Sequence, residues 1–373
     1  MRPGPRPKTR QARTLHGEVG FARTVWECPQ CRSSRAMVDE ELGLGPHAAW
    51  TARARKKVAW EVAQTSFDQA RRNLEHQAEL QVSAAECARV AQEEGGLLAG
   101  LQRRRERAWA APGDPQSPAA GPEYPSERLV LQADATAVLT VAGEEHKMVW
   151  CATGFALEDR QSKQGSERPL IVRRRYAAHG GDFDDFGERM KALANRLGAR
   201  RAQKVAFVAD GAPCLWRWAA ENLPHGSELI QDYWHVCEHL HGVARELYGE
   251  EEGRRRGEAW ARTLRDSRVQ EVLDALRHEH RRRRGRLRER VEEEIRYLEA
   301  GRGRMDYARL EREGWPIGSG AIEGTCKHLV KQRFNLTGAR WRRRNIEPVL
   351  ALRLSMFNEE WEQDWRADQL RAA

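Results

Sequence analysis

Two apolar runs that each end in an aspartate constrain the fold more than any other feature of this sequence. They are LVLQAD at residues 129–134 and VAFVAD at residues 205–210. Short runs of this kind, separated by helical patterns, predict buried strands in an α/β domain with a mixed sheet. Side chains at the carboxyl ends of such strands point into the crevice where α/β proteins bind ligands. The sequence therefore singles out Asp134 and Asp210 as candidate site residues.

A proline-rich segment divides the chain. Residues 111–126 contain five prolines, and proline removes a hydrogen-bond donor and fixes φ, so this segment is predicted to be an extended linker. Residues 1–50 form an irregular N-terminal segment, and residues 51–110 form a small helical domain. Residues 127–373 form the α/β domain, with a charge-dense helical stretch at about 240–314.

Three short helices are predicted in the small helical domain. They cover residues 54–63, residues 66–77 with Ser66 as the cap, and residues 84–92 with Ser83 as the cap. Three short helices with a basic balance favour a helix-turn-helix-like module that binds DNA. An ordinary helical packing domain is the alternative.

The charge balance favours an anionic partner. The chain has 64 Lys and Arg against 55 Asp and Glu, a formal net charge of +9. Such a balance favours nucleic acid, although the excess of Arg over Lys throughout offers codon usage as an alternative. No apolar run approaches the roughly 18 residues of a membrane span, and the basic start lacks the apolar core of a secretory signal. We therefore expect no membrane association, and a cytoplasmic, nucleoid-associated protein.

Glu323, in the segment GSGAIEG, is a third candidate acid. A capping box does not explain it, because that motif needs the acid three residues after Ser319, where Ile322 stands. A favourable interaction with the helix dipole is the alternative explanation. Three converging carboxylates repel each other unless a hard divalent cation lies between them, and Mg²⁺ or Mn²⁺ suits oxygen ligands. Such a site can cut phosphodiester bonds.

With these three acids, the sequence resembles the DDE transposases of bacterial insertion sequences. Asp210 follows Asp134 by 76 residues, and Glu323 follows Asp210 by 113. The long second interval is similar to the helical insertion of Mutator-type transposases. The segments VADGAPCLWRWAAENLPHGSELIQDYWHVCEHL and GSGAIEGTCKHLVKQRFNLTGARWRRRN are similar to conserved blocks of one such family, and the resemblance covers roughly residues 15–365.

The resemblance implies a fold, a reaction and partners. The fold is a ribonuclease H-like mixed-sheet catalytic domain with a helical insertion, preceded by the helix-turn-helix-like domain. The reaction is metal-dependent cleavage of double-stranded DNA at the element ends, followed by strand transfer into target DNA, with Mg²⁺ or Mn²⁺ held by the three acids. A homo-oligomer on DNA follows by analogy, because two ends must be paired. The alternative is a transposase-derived DNA-binding protein that no longer cuts.

Asp232 and His235 match a further Mutator-type signature, in which an acid or a cysteine stands three positions before a histidine. The match makes His235 a catalytic candidate that contacts DNA or shapes the metal site, and a structural histidine at a helix start is the alternative. His235 also opens an H-x-x-E-H pattern that ends at His239, which is typical of inverted zinc peptidases. A zinc peptidase, the third candidate function, leaves the three acids and the basic charge unexplained.

Cys28 and Cys31 form the only C-x-x-C pair among seven cysteines. In the resembled family such a pair is one knuckle of an N-terminal zinc ribbon, so residues 1–50 look like a partial ribbon. Residues 1–27 contain no cysteine, and His16 and His47 have unconvincing spacing. Two thiolates do not complete a tetrahedral site, so Cys28 and Cys31 are candidate Zn²⁺ ligands but we expect no bound zinc.

A basic stretch around Glu323 is the candidate DNA-binding surface. Such a stretch can hold phosphates, and a tryptophan within it can stack on an unpaired base. Packing of the tryptophan in the core is the alternative. The residues are Lys327, Lys331, Arg333, Arg340, Trp341, Arg342 and Arg343.

Overall fold

The computed structural model describes residues 1–4, 6–44, 49–111, 127–145, 147–159 and 169–366. The predicted linker therefore lies outside the described residues except for residue 111, and so does His47. The described chain divides into two compact units. The first comprises Met1–Arg105, Ala137–Met148 and His328–Ala373, and the second comprises Glu106–Thr136 and Val149–Lys327. Each predicted domain is one continuous stretch of sequence, whereas the first unit combines segments from both ends of the chain.

Short strands and three long helices make up the N-terminal part of the first unit. β2 and β3 pair as an antiparallel hairpin, and β4 pairs with both β1 and β5. The elements are β1 (Arg2–Pro3), β2 (Lys8–Thr14), β3 (Gly17–Arg23), β4 (Trp26–Glu27), β5 (Ser34–Arg35), α1 (Met37–Glu41), α2 (Ala52–Gln64), α3 (Phe67–Ala78) and α4 (Ala84–Ala110).

The predicted helix caps are confirmed. The Ser66 hydroxyl accepts the backbone N–H of Gln69 at 3.1 Å. Ser83 and Glu86 form a reciprocal capping box, with contacts of 3.1 Å and 3.0 Å between each backbone N–H and the other side chain. The predicted end of the third helix at residue 92 is wrong, because α4 continues through Gly95 and Gly96 to Ala110.

The second unit is built on a five-stranded mixed sheet, which confirms the predicted α/β class. Its strand order is β10-β9-β6-β7-β8; β9 pairs in parallel with β10 and β6, and β7 pairs with β8 antiparallel. The elements are β6 (Arg128–Val138), β7 (Lys147–Glu158), β8 (Leu170–His179), α5 (Phe183–Arg196), β9 (Lys204–Ala209), α6 (Pro213–Asn222), β10 (Glu228–Gln231), α7 (Tyr233–Tyr248), α8 (Glu250–Arg265), α9 (Val269–Arg282), α10 (Gly285–Gly301), α11 (Tyr307–Arg312) and α12 (Gly320–Thr325).

Alternation along the strands gives this sheet two apolar faces. Leu131 and Phe207 pack with side chains of α5 and α6 on one face. Val130 and Val208 pack with side chains of α7–α11 on the other. Helices α7–α11 account for the helical pattern predicted at about 240–314. None of the helices in the described part of the chain is long and apolar enough to span a membrane.

The C-terminal part of the first unit is helical. A π-helical turn (Cys326–Lys331) leads into α13 (Gln332–Phe334), and a 3₁₀ turn (Arg343–Asn345) leads into α14 (Ile346–Phe357) and α15 (Trp361–Asp364). The sequence of residues 321–333 predicts one helix, and so does that of residues about 345–365, but the structure divides both. Within the same unit, α4 approaches α14 so closely that a Cβ at Gly95 would lie 2.2 Å from the carbonyl oxygen of Pro348.

Candidate active site at the ends of three parallel strands

The strand registers place three aspartates side by side. β6 pairs with β9 as far as Gln132 and Val208, and β10 pairs with β9 as far as Gln231 and Ala209. Continued by one or two residues, these registers put Asp134 and Asp232 on either side of Asp210. The sequence singles out Asp134 and Asp210, two neighbours in this row, as strand-end acids, whereas Asp232 enters there only as part of the Mutator-type signature.

All three aspartates fall on the same face of the sheet. Side chains alternate between faces along a strand. Val130, Val208 and Ile230 pack in the core that faces α7–α11, and each lies an even number of residues before one of the aspartates. The row therefore belongs to the α7–α11 face, where Asp134 and Asp210 are half-buried.

The helix that carries Glu323 is anchored to the same edge by Gln132, which is 1% exposed. The Gln132 amide nitrogen donates to the carbonyl oxygen of Gly318 at 3.1 Å, and its amide oxygen accepts the N–H of Ile322 at 2.9 Å. Gln132 and Asp134 are two residues apart on β6, so they share a face. Glu323 itself is exposed in the first turn of α12.

Hydrogen bonds fix the backbone on which Asp210 stands. Its carbonyl oxygen accepts the Gln231 amide at 2.8 Å and the Tyr297 hydroxyl at 3.0 Å. Gly211 follows with a φ of +123°, a backbone conformation that residues other than glycine rarely adopt. Within the described residues, only one carboxylate oxygen of Asp210 accepts a hydrogen bond, from the N–H of Ala212 at 3.2 Å. The other oxygen is available to a ligand.

Two buried thiols lie beside Asp134. Cys326 Sγ is 3.9 Å from Asp134 Oδ2 and donates to it. A hydrogen bond with Cys326, burial, and the charges of Cys326 and Asp134 raise the pKa of the Cys151 thiol well above its usual value. Cys151 therefore stays protonated at neutral pH and adds no negative charge near Asp134.

Carboxylate oxygens are the donors that Mg²⁺ and Mn²⁺ prefer, so the chemistry of Asp134, Asp210 and Glu323 fits such an ion. As the side chains stand, no three His, Cys, Asp or Glu residues of the described chain are close enough together to hold a metal. Mutual repulsion keeps carboxylates apart when no cation lies between them. A shared ion at this edge therefore requires side-chain rotation, for which the exposed Glu323 has room.

His235 lies at the start of α7 and is 37% exposed, with Nδ1 3.9 Å from Glu238. The His239 ring stacks on Tyr297 with 4.3 Å between centroids, and its Nδ1 lies 3.3 Å from the buried Glu294. His239 is thus engaged by α10, and the described residues supply no third side chain that completes a metal site with this histidine pair.

Cys28 and Cys31 lie on a turn of the first unit, and Cys31 is exposed. Cys31 Sγ is 3.1 Å from the Ser33 hydroxyl. Hydrogen bonds from Ser33, and then from Cys28, lower the pKa of the Cys31 thiol to about 7. Among the described residues no third ligand joins the pair, and His47 lies outside them.

Two members of the predicted basic surface are buried in the first unit. Trp341 is 6% exposed, and its indole N–H donates to the carbonyl oxygen of Phe334 at 2.9 Å. Arg333 is 2% exposed and lies between the rings of Phe67 and Trp341. Burial lowers the pKa of Arg333 to about 9. The structure therefore places both side chains in the core, which was the alternative for Trp341.

The other five residues of the predicted basic surface are exposed. Lys327 belongs to the second unit, and the others belong to the first. The exposed residues are Lys327, Lys331, Arg340, Arg342 and Arg343.

Comparison of the chain with models of protein families and with curated proteins returns no match.

Proposed function

We propose that this chain is a transposase that cuts DNA at the ends of a mobile element and joins them to target DNA. Its second unit would be a ribonuclease H-like catalytic domain with helices α7–α11 as the insertion. The observation that carries the proposal is the placement of Asp134 and Asp210 on adjacent parallel strands and one face, with the helix of Glu323 anchored to the first of those strands through Gln132.

The three carboxylates would act together. Mg²⁺ or Mn²⁺ held there would supply charge to activate the attacking oxygen and to stabilise the departing one. Asp134 and Asp210 are set by the sheet, so their backbone positions are fixed before DNA binds. The side chain of Glu323 is exposed on α12 and can rotate to complete the site. His235, at the start of α7 and partly exposed, would contact the DNA strand or shape the site.

The charge distribution supports a DNA substrate. The chain carries a net charge of +9, and exposed Lys327, Lys331, Arg340, Arg342 and Arg343 can neutralise phosphates. Helices α2, α3 and α4 would recognise the element ends as a helix-turn-helix-like module. Two ends must be brought together for transfer, so we propose a homo-oligomer on DNA.

The test is cleavage of a plasmid that carries the DNA flanking the gene. We expect cuts at specific positions in Mg²⁺ or Mn²⁺. Asp210→Asn and Glu323→Gln should abolish cleavage and leave DNA binding intact, and Asp184→Asn, an exposed acid on α5, is the matched control. Full activity of Glu323→Gln contradicts the proposal. DNA binding without cuts in either ion favours the alternative, a transposase-derived protein that only binds DNA.

A further inference from the structure

Every acceptor site of the Asp232 carboxylate is already used. The side chain is 2% exposed. One oxygen accepts the N–H groups of Trp234 and His235, at 2.8 Å and 3.4 Å. The other accepts the N–H of Ser319 at 3.2 Å and the Ser319 hydroxyl in a shorter contact. A carboxylate has about four acceptor positions, so Asp232 has none left for a cation, although it stands in the same row as Asp134 and Asp210.

Ser319 connects Asp232 to the third candidate acid. Its hydroxyl oxygen lies 3.4 Å from Glu323 Oε1. Its carbonyl oxygen accepts the N–H groups of Ile322 and Glu323, at 2.8 Å and 3.1 Å, and so begins the turn on which Glu323 stands. The hydroxyl of Ser319 therefore lies between two carboxylates.

A serine hydroxyl has one proton to donate, so the two carboxylates compete for it. The shorter contact is with Asp232, and a charged acceptor strengthens such a bond. With the proton directed at Asp232, the Glu323 carboxylate keeps its lone pairs for other ligands. If the acceptor at position 232 were lost, the proton would turn to Glu323.

We propose that Asp232 is a positioning residue, which draws the Ser319 hydroxyl proton away from Glu323 and so leaves that carboxylate free to bind the divalent cation. The inference rests on the proposed function, since it assigns Glu323 to the cation site. It separates Asp232 from its neighbours in the row: Asp134 and Asp210 bind the ion, and Asp232 acts through Ser319.

The decisive substitution is Asp232→Asn. The asparagine oxygen can still accept the N–H groups at the start of α7. Its NH₂ group would donate to Ser319 Oγ and turn the hydroxyl proton toward Glu323, and the N–H of Ser319 would lose its acceptor. The double variant with alanine at position 319 shares that backbone loss, so comparing the two variants isolates the hydroxyl. Loss of a residue that orients a metal ligand typically weakens metal affinity about 10- to 100-fold. Ser319→Ala removes the competing proton, so this single variant should retain the wild-type affinity for Mn²⁺.

The experiment measures Mn²⁺ binding to the full chain without DNA, by calorimetry and by the electron paramagnetic resonance of free Mn²⁺. We expect Asp232→Asn to weaken binding about tenfold or more, and the double variant Asp232→Asn/Ser319→Ala to bind more tightly than Asp232→Asn. Asp182→Asn is the matched control, because Asp182 caps α5 in the same way, accepting the N–H of Asp185 at 2.9 Å, outside the site.

Two results would overturn the inference. If Asp232→Asn weakens Mn²⁺ binding by the same factor whether position 319 holds serine or alanine, Asp232 does not act through the hydroxyl. If Ser319→Ala alone loses as much affinity as Glu323→Gln, the hydroxyl supports the ion rather than competing with it, and this second result is decisive even if Asp232→Asn does not fold. If the wild-type protein does not bind Mn²⁺, or binds it in a way that does not depend on Asp210, the proposed function is overturned as well.

Discussion

Two adjacent glycines in α4 should respond in opposite directions to the same substitution. Gly95 and Gly96 both lie inside the helix, where alanine is favoured over glycine by about 0.5–1 kcal/mol. A Cβ at Gly96 meets no atom within 4 Å. Gly96→Ala should therefore raise the free energy of unfolding by about 0.5–1 kcal/mol.

Gly95→Ala brings the same helical gain but meets the backbone of α14. Its Cβ would lie 2.2 Å from the carbonyl oxygen of Pro348 and 2.6 Å from the carbonyl carbon, where ordinary contact begins at 3.4 Å. The two helices must separate by about 1 Å, and overpacking of this kind costs about 1–3 kcal/mol. Because the obstacle is main chain and cannot rotate away, we take the cost at the upper end of that range, about 3 kcal/mol, and expect a net loss of about 2 kcal/mol.

Urea unfolding followed by circular dichroism at the helical band measures both variants against the wild type. The expected result is a higher midpoint for Gly96→Ala and a lower one for Gly95→Ala. Equal shifts of the same sign would contradict the prediction for Gly95, because they would show that helix propensity alone governs both positions and that α4 and α14 do not approach as described.

Two further predictions concern the site and the cysteine pair. Gln132→Met keeps the volume of a buried side chain but leaves the carbonyl of Gly318 without the Gln132 amide and the N–H of Ile322 with the carbonyl oxygen of Ser319 as its acceptor. One unpaired buried carbonyl should lower the free energy of unfolding by about 1–3 kcal/mol, and an unchanged urea midpoint contradicts this anchor. The Cys31 thiol, with a pKa of about 7, should react with iodoacetamide at a rate that rises with pH and is half-maximal near that value, because the thiolate is the nucleophile. Ser33→Ala should move this midpoint to higher pH, and an unmoved midpoint would show that Ser33 does not set the pKa.

The strands that lead to Asp134 and Asp210 could be predicted because the signal is local, although β6 continues past Asp134 to Val138 instead of ending at that acid. Each of the runs ending at Asp134 and Asp210 is apolar, short and closed by an acid, and the sheet contains both. The helix caps at Ser66 and Ser83 could be predicted for the same reason, since a cap is a contact between residues three apart in sequence.

Other features depend on contacts between distant residues. The third helix was predicted to end at residue 92, before Gly95 and Gly96, yet the close approach of α14 requires the first glycine within the helix. The burial of Arg333 between Phe67 and Trp341 is a packing result that a basic sequence pattern does not reveal. Gln132 and Ser319 were missed for the same reason, because their partners lie 186 and 87 residues away along the chain.

The sequence of residues 138–141, VLTV, predicts a separate β-strand, and this prediction is wrong. The structure continues β6 to Val138 and does not form a second strand there, although Thr140 makes an isolated bridge to Trp341 within the first unit. β8 (Leu170–His179) was not predicted at all, because three consecutive arginines interrupt its apolar pattern. A period-two pattern predicts strands only where one face is uniformly apolar.

We propose that Asp134, Asp210 and Glu323 share one divalent-cation site. Anomalous diffraction from a crystal containing Mn²⁺ would locate the ion. We expect an anomalous peak in contact with carboxylate oxygens of Asp134 and Asp210, with Glu323 turned toward it and Asp232 still bonded to Ser319. Mn²⁺ bound by Asp232, or found only away from Asp134 and Asp210, would overturn the proposed site.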